Sequence, residues 1–244
     1  MRKIVFSVVA ALALIGCAKE KKQEVTTEVE VLEVKPVEDW ITLFDGSNFD
    51  QWKGYLHDGM HPEWSIDGNA MKFTPGEKGG KNIITKEKFK SFVLSLEWKI
   101  SEAGNSGIFW GVFEDEKYPE AYQTGPEIQV LDNELHPDAK ANPKFHQAGA
   151  LYDMVQPEHD VCNPAGEWNK VVLTVDHTNN KGSVVLNDTE IVKFPVHGEG
   201  WDALVANSKF KDWEGFGKYP EGHIGLQDHS DIVWYRDIKI KRLD

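Results

Sequence analysis

Beyond residue 60 the chain alternates apolar and polar positions with a period of two. Residues 92–100, FVLSLEWKI, set Phe92, Leu94, Leu96, Trp98 and Ile100 on one side and Ser95, Glu97 and Lys99 on the other. Residues 63–73 alternate on both sides of Asp67-Gly68, a dipeptide suited to a tight hairpin turn. The same reading predicts strands over 108–113, 127–131 and 148–154. Three more fall between Lys170 and Phe194, separated by turns at 179–182 and at Asn187-Asp188, and two close the chain over 224–227 and 233–240. Helical spacing occurs once, over 202–210, through Trp201, Leu204, Val205 and Ser208. Many short strands and almost no helix predict an all-β, two-sheet β-sandwich or jelly roll with one short helix. A bent sheet of such a sandwich offers a concave face for a ligand.

The pattern changes at the N-terminus. Arg2 and Lys3 precede an apolar run over 4–15, too short for a permanent membrane-spanning helix and suited to a secretory signal. Leu14-Ile15-Gly16-Cys17 resembles the bacterial lipobox, which implies cleavage before Cys17 and its lipidation. Residues 1–16 are then the signal peptide, and Cys17 anchors the protein to a membrane without a span. The expected location is the bacterial outer membrane, facing the periplasm or the cell surface. Residues 17–38, charged and free of aromatics after Cys17, read as a flexible tether, and 39–244 as one domain.

Charge narrows the partners. The chain carries −13, and loss of residues 1–16 removes two positive charges and leaves −15. An acidic protein repels phosphate backbones, so no nucleic-acid partner is expected. Of two cysteines, Cys17 is committed to lipid, which leaves Cys162 without an intrachain disulfide partner. Stability must come from a core, for which nine Trp and twelve Phe are available.

Candidate chemistry begins at 125–133, GPEIQVLDN. Its alternation puts Glu127, Gln129 and Leu131 on one face and Ile128, Val130 and Asp132 on the other. On a central strand, Glu127 and Gln129 would line a groove; otherwise they form a polar face that meets water. HIGLQDH repeats the arrangement, with His223, Gly225, Gln227 and His229 opposite Ile224 and Leu226, and Asn105-Ser106-Gly107 opens another aromatic strand. Amides, a carboxylate and imidazoles beside aromatics are the composition of a sugar site. Trp52 and Trp64 read as core. His57 and His61 share a loop without an obvious third ligand, so no metal or cofactor is expected; a loop-bound Ca²⁺ is not readable from sequence.

Six motifs run in order: ITLFDGSNFDQWKGY, NSGIFWG, GPEIQVLDN, AGALYDM, GEWN and IGLQDHSDIVWYRDIKI. In series, over residues 40–242, they resemble the 3-keto-disaccharide hydrolase family. The resemblance implies a concanavalin-A-like jelly roll and action on sugars already oxidised to a ketone at C3. An oxidoreductase must then make that ketone first. This sequence departs from the family pattern at Trp110-Gly111, where an aromatic followed by Arg is expected, so a cationic contact should be missing. The strand also resembles the catalytic strand of jelly-roll glucanases, but of its alternating carboxylates only Glu127 remains. A retaining glycosidase needs two carboxyls about 5–5.5 Å apart and an inverting one a wider pair.

One carboxylate suffices if a C3 ketone acidifies the C2 proton. A base removes it, and the C1 substituent leaves by β-elimination; water then adds, or the reaction stops as a lyase. In that scheme Glu127 is acid/base, Gln129 orients substrate, and His229 or His146 is the second proton carrier. Asn105 and Gln227 donate to a hydroxyl or the enolate, while Trp110 and Tyr152 offer aromatic faces. Arg236 either contacts substrate or is a structural Arg paired with an acid such as Asp45. Two rivals stay open: a non-catalytic carbohydrate-binding module, and an ordinary glycosidase whose second carboxylate is Asp153 or Glu97.

Overall fold

A computed structural model describes residues 39–76 and 80–244. Residues 1–38, read from the sequence as a signal peptide, Cys17 and a tether, lie outside the described residues. The described residues form one compact unit. Its strands are β1 (Ile41–Phe44), β2 (Trp52–Gly54), β3 (Trp64–Asp67), β4 (Ala70–Phe73), β5 (Ile83–Phe89), β6 (Phe92–Ile100), β7 (Asn105–Val112), β8 (Glu127–Leu131), β9 (Asn169–Asp176), β10 (Lys181–Leu186), β11 (Thr189–Phe194), β12 (Gly222–Leu226) and β13 (Val233–Arg242). They form two antiparallel sheets. One has the order β11-β10-β9-β6-β13-β4-β3, with β1 also on β13; the other has the order β2-β5-β12-β7-β8. The all-β jelly-roll sandwich is therefore the fold.

Local chemistry explains the turns. Gly68, at φ 63°, closes the β3–β4 hairpin. Asn187 and Asp188 take φ 48° and 65° between the paired residues Leu186 and Thr189, the two left-handed positions of a two-residue hairpin. The core lies between the sheets. Leu94, Leu96, Trp98 and Ile100 of β6 meet Ile108 of β7, Ile128 and Val130 of β8 and Ile224 and Leu226 of β12 in one cluster. Trp52 and Trp64 are buried in it, as their patterns suggest.

Four details differ from the sequence reading. Residues 148–154 form no strand but a tight turn, with Gly149 and Asp153 at φ 83° and 59° and isolated bridges from Leu151 to Ile128 and to Val155. Among the described residues two short α-helices are present rather than one: α1 (Asp138–Ala141) and α2 (Gly198–Ala206). α2 stops before Phe210 because Asn207 and Ser208 bond back to the carbonyls of Ala203 and Val205, and Phe210 N–H donates to Ser208 Oγ. β8 is an edge strand, not a central one. Its edge is covered by the 148–155 turn: Gln129 N–H donates to Ala150 O (3.1 Å), Gly149 N–H to Gln129 O (2.8 Å) and Tyr152 N–H to Glu127 O (3.0 Å). Lastly, β13 carries a bulge between Arg236 and Lys239, with Asp237 at φ 51°. The extra residue reverses the alternation, so Ile238 and Ile240 point inward while Arg236 points out.

Candidate active site

β7, β8 and β12 are neighbours in one sheet, so the polar sides of their alternations converge. The result is a cavity of about 240 Å³ lined by Asn105, Tyr122, Glu127, Gln129, Tyr152, Lys209, Phe210, Trp213, Gln227 and His229. Six of the sequence candidates thus meet: Glu127, Gln129, Asn105, Gln227, His229 and Tyr152. Glu127 is the one carboxylate among the lining residues.

Glu127 lies across Gly107 of the neighbouring strand. A Cβ on Gly107 would collide with Glu127 Oε1 and stand 2.7 Å from its Cδ. Glycine there makes room for the carboxylate. Gln129 folds its Oε1 back onto Val130 N–H (3.1 Å), which leaves its Nε2 hydrogens for a ligand. Asn105 Oδ1 and Gln227 Oε1 are buried without a hydrogen-bond partner. Such orphan acceptors cost about 1–3 kcal/mol each, a cost that ligand hydroxyls would offset. These amides therefore present acceptors beside the donors expected of them. Tyr122, Phe210 and Trp213 form an aromatic wall, with ring centroids 5.8 Å apart for Tyr122–Trp213 and 5.1 Å for Phe210–Trp213.

Three candidates fall elsewhere. His146 sits behind Tyr152, stacked on it at 4.3 Å, with Nδ1 2.9 Å from Asp138 Oδ1 and Nε2 2.9 Å from Asp153 Oδ1. It is not among the residues that line the cavity. Tyr152 OH donates to Asp138 Oδ2 (2.8 Å), and Asp153 Oδ2 accepts Lys209 N–H (2.7 Å), so this network ties the Lys209 loop to the cavity. Trp110 shares its face of β7 with core residue Ile108; it belongs to the core and stacks on Phe194 at 5.6 Å. It borders a separate cleft of about 430 Å³ beside Trp201 and Tyr219. Arg236 pairs with Glu97 (2.6 Å) on the other sheet and stacks on Trp168 (3.9 Å); Asp45 instead binds Ser47.

A model of 3-keto-alpha-glucoside-1,2-lyase-like domains matches residues 39–241. The chain belongs to this family. A curated relative from Bacteroides thetaiotaomicron, named 3-keto-disaccharide hydrolase, is 35% identical over 295 residues covering 100% of each chain. A crystal structure of a provisionally named glycosyl hydrolase from Parabacteroides distasonis ATCC 8503 is 27% identical with a TM-score of 0.78, over 85% of this chain and 95% of that one. A second structure from that organism, 23% identical with a TM-score of 0.63 over 84% and 99%, shares the fold.

In this family member the cavity controls the titration of Glu127. Burial pushes its carboxyl up to about 8; the Lys209 ammonium pulls it back, and Asp138 pushes it further up. Burial and the bond to Asp138 hold the Tyr152 phenol well above its ordinary range. Sequence reasoning missed Lys209, Tyr122, Phe210, Trp213 and Gly107. The signal for the loop group was the stretch Lys209-Phe210-Lys211-Asp212-Trp213, which mixes cations and aromatics outside any strand. The cation expected after Trp110 has no room on this backbone: Gly111 has φ 60°, and a Cβ there would meet Tyr219 O at 2.8 Å. Lys209 supplies a cation to the cavity instead, its Nζ 4.0 Å from the Tyr152 ring centroid. Lys209→Ala should raise the Glu127 titration further and lower kcat/KM roughly tenfold, a modest loss because Lys209 is solvent-exposed. A pH–rate profile checks both; an unmoved profile would place Lys209 outside the Glu127 field.

Proposed function

We propose that this protein cleaves glycosides whose sugar carries a ketone at C3, using Glu127 as the base that removes the C2 proton. Family membership and the curated relative support the coarser statement, a glycoside-cleaving enzyme. The single carboxylate in the cavity lining carries the finer one. Two-carboxylate glycosidases need a partner within reach. Glu97 is engaged with Arg236 on the other sheet, and Asp153 is bound by His146, Asn142 and Lys209 N–H outside the lining. Neither is placed to serve.

Elimination needs less. Glu127 takes the C2 proton and the electron pair moves toward the C3 oxygen, forming an enolate. The ketone then re-forms, C1=C2 forms, the C1–O bond breaks and the leaving oxygen takes a proton. A base held near 8 is well matched to abstraction beside a carbonyl. His229 lines the cavity and is the proton carrier to the leaving group; Lys209 and Gln129 offer donors toward developing charge. Asn105 and Gln227 accept from hydroxyls, and the aromatic wall stacks on the ring. The relative's name ends the reaction in hydrolysis and the family's description in a lyase. The difference is whether water adds to the unsaturated ketone. The lipobox-like setting of Cys17 supports an outer-membrane lipoprotein, with a sugar 3-oxidoreductase acting upstream in the same compartment.

The test mixes the full-length protein with a 3-keto-glucoside and, separately, its parent glucoside, and follows aglycone release by NMR. Release from the keto compound alone is expected. Comparable release from the parent would overturn the keto-dependent mechanism. Binding of either sugar without release would point to a binding module.

A further inference from the structure

His136 and His229 lie 93 residues apart in the chain, yet their rings meet edge to face at 6.1 Å beside the mouth of the cavity. Asp231 joins them. One ligand atom from each of His136, His229 and Asp231 can be chosen so that all three lie within 4.8 Å of one another. Donors around one first-row cation stand about 3–4 Å apart at bond lengths near 2.1 Å, so a small contraction closes the set. His229, exposed, is free to make it.

The backbone is shaped to this end. His229 and Ser230 both take left-handed conformations, φ 34° and 64°, which ordinary side chains rarely adopt. Two such residues in succession cost of order 1–3 kcal/mol each, and such strain concentrates at functional sites. Here it brings His229 and Asp231 to one side, with His229 Nδ1 3.8 Å from Asp231 Oδ2. Asp231 Oδ2 is oriented by Asn105 N–H (3.0 Å), and Asn105 Nδ2 lies 3.5 Å from His229 Nε2. Asn105 also carries the buried orphan Oδ1. His136 Nδ1 now accepts Asp138 N–H at 3.1 Å, at the first turn of α1. Ligation through Nδ1 would release that one long bond.

We propose that His136, His229 and Asp231 form a divalent-cation site at the cavity mouth, whose open positions take two adjacent oxygens of the sugar. Two imidazoles and one carboxylate suit Zn²⁺, Co²⁺, Mn²⁺ or Fe²⁺ and leave coordination positions free. His229 lines the same cavity as Glu127, so a cation on it faces the sugar that Glu127 deprotonates, and with the cation bound His229 serves as its ligand and no longer as the proton carrier to the leaving group. The cation site stands on its own geometry; the sugar as further ligand rests on the function proposed above. The sequence weighed His57 and His61 for a metal; His136 and His229 are a pair that only folding brings together.

Co²⁺ is the probe, titrated into chelator-treated full-length protein and followed by calorimetry and visible absorption. Roughly one equivalent is expected, with d–d bands that shift when the 3-keto-glucoside is added. Loss of even an outer-sphere partner weakens metal sites 10- to 100-fold, so His229→Ala and the milder Asp231→Asn should each weaken Co²⁺ by about 100-fold or more. Thermal melts confirm that both variants fold. Binding that neither variant weakens, or no binding at all, would overturn the site. Bands that no sugar moves would overturn its contact with substrate. Aglycone release on the same samples separates the two ideas. Release from the keto compound with no Co²⁺ site sinks this inference and keeps the proposed function; a Co²⁺ site without release does the reverse.

Discussion

Glu127→Gln should lower kcat/KM on a 3-keto-glucoside by about 10³-fold and, at alkaline pH, make the protein more stable. Both effects follow from one buried carboxylate. Gln keeps the shape and removes the base, so turnover falls while the fold persists. The stability gain follows from linkage. Folding raises the Glu127 pKa from 4.5 to about 8. Between those values the folded protein holds a proton that the unfolded chain has released. The contribution of Glu127 to stability is therefore greatest below about 4.5, is lost as pH rises through that window and levels off above 8. Gln does not titrate, so the variant should gain nothing at pH near 4.5 and on the order of a few kcal/mol at pH near 8.5, several degrees in Tm. The same carboxylate sets the rate profile: as a base, Glu127 should give kcat/KM that climbs to about pH 8 and then flattens. Aglycone release and melts at the two pH values check the set. Near-normal turnover would remove Glu127 from the mechanism, and equal melts at both pH values would mean its carboxyl is not desolvated.

Gly107→Ala should cost 10²-fold or more in kcat/KM with little loss of stability. The added Cβ collides with Glu127 Oε1 and stands 2.7 and 2.9 Å from its Cδ and Cγ. No backbone blocks the methyl, so the flexible carboxylate arm moves and the sheet stays. A misplacement near 1 Å is enough for such a loss of rate. The diagnostic is the split: kcat falls, while the melting temperature stays within a degree or two of wild type. A variant that melts far lower would show Gly107 to be a packing residue. An active one would show that Glu127 reaches its work from a second rotamer.

What was legible in the sequence is what a strand decides locally. Period-two alternation put Ile128 and Val130 into the core and Glu127 and Gln129 into one cavity, and it did the same for Leu226 and Gln227, because neighbours on a strand must face opposite ways. That rule also separates Asn105 from Trp110, five positions apart on β7 and therefore on opposite faces, so the core place of Trp110 was readable too. It fails where one residue is inserted: the bulge at Asp237 turned Arg236 away from the face its spacing predicts. Where the alternation ran through 148–154, left-handed Gly149 and Asp153 made a turn, and that turn, not another strand, covers the edge of β8. Tertiary structure alone decided the rest. Lys209, Phe210 and Trp213 come from a loop after α2, His136 comes from the segment after β8, and no spacing relates them to Glu127. The burial that lifts Glu127 toward 8 likewise arises from groups distant in the chain, because desolvation depends on what surrounds a carboxylate in space and not on what precedes it in sequence.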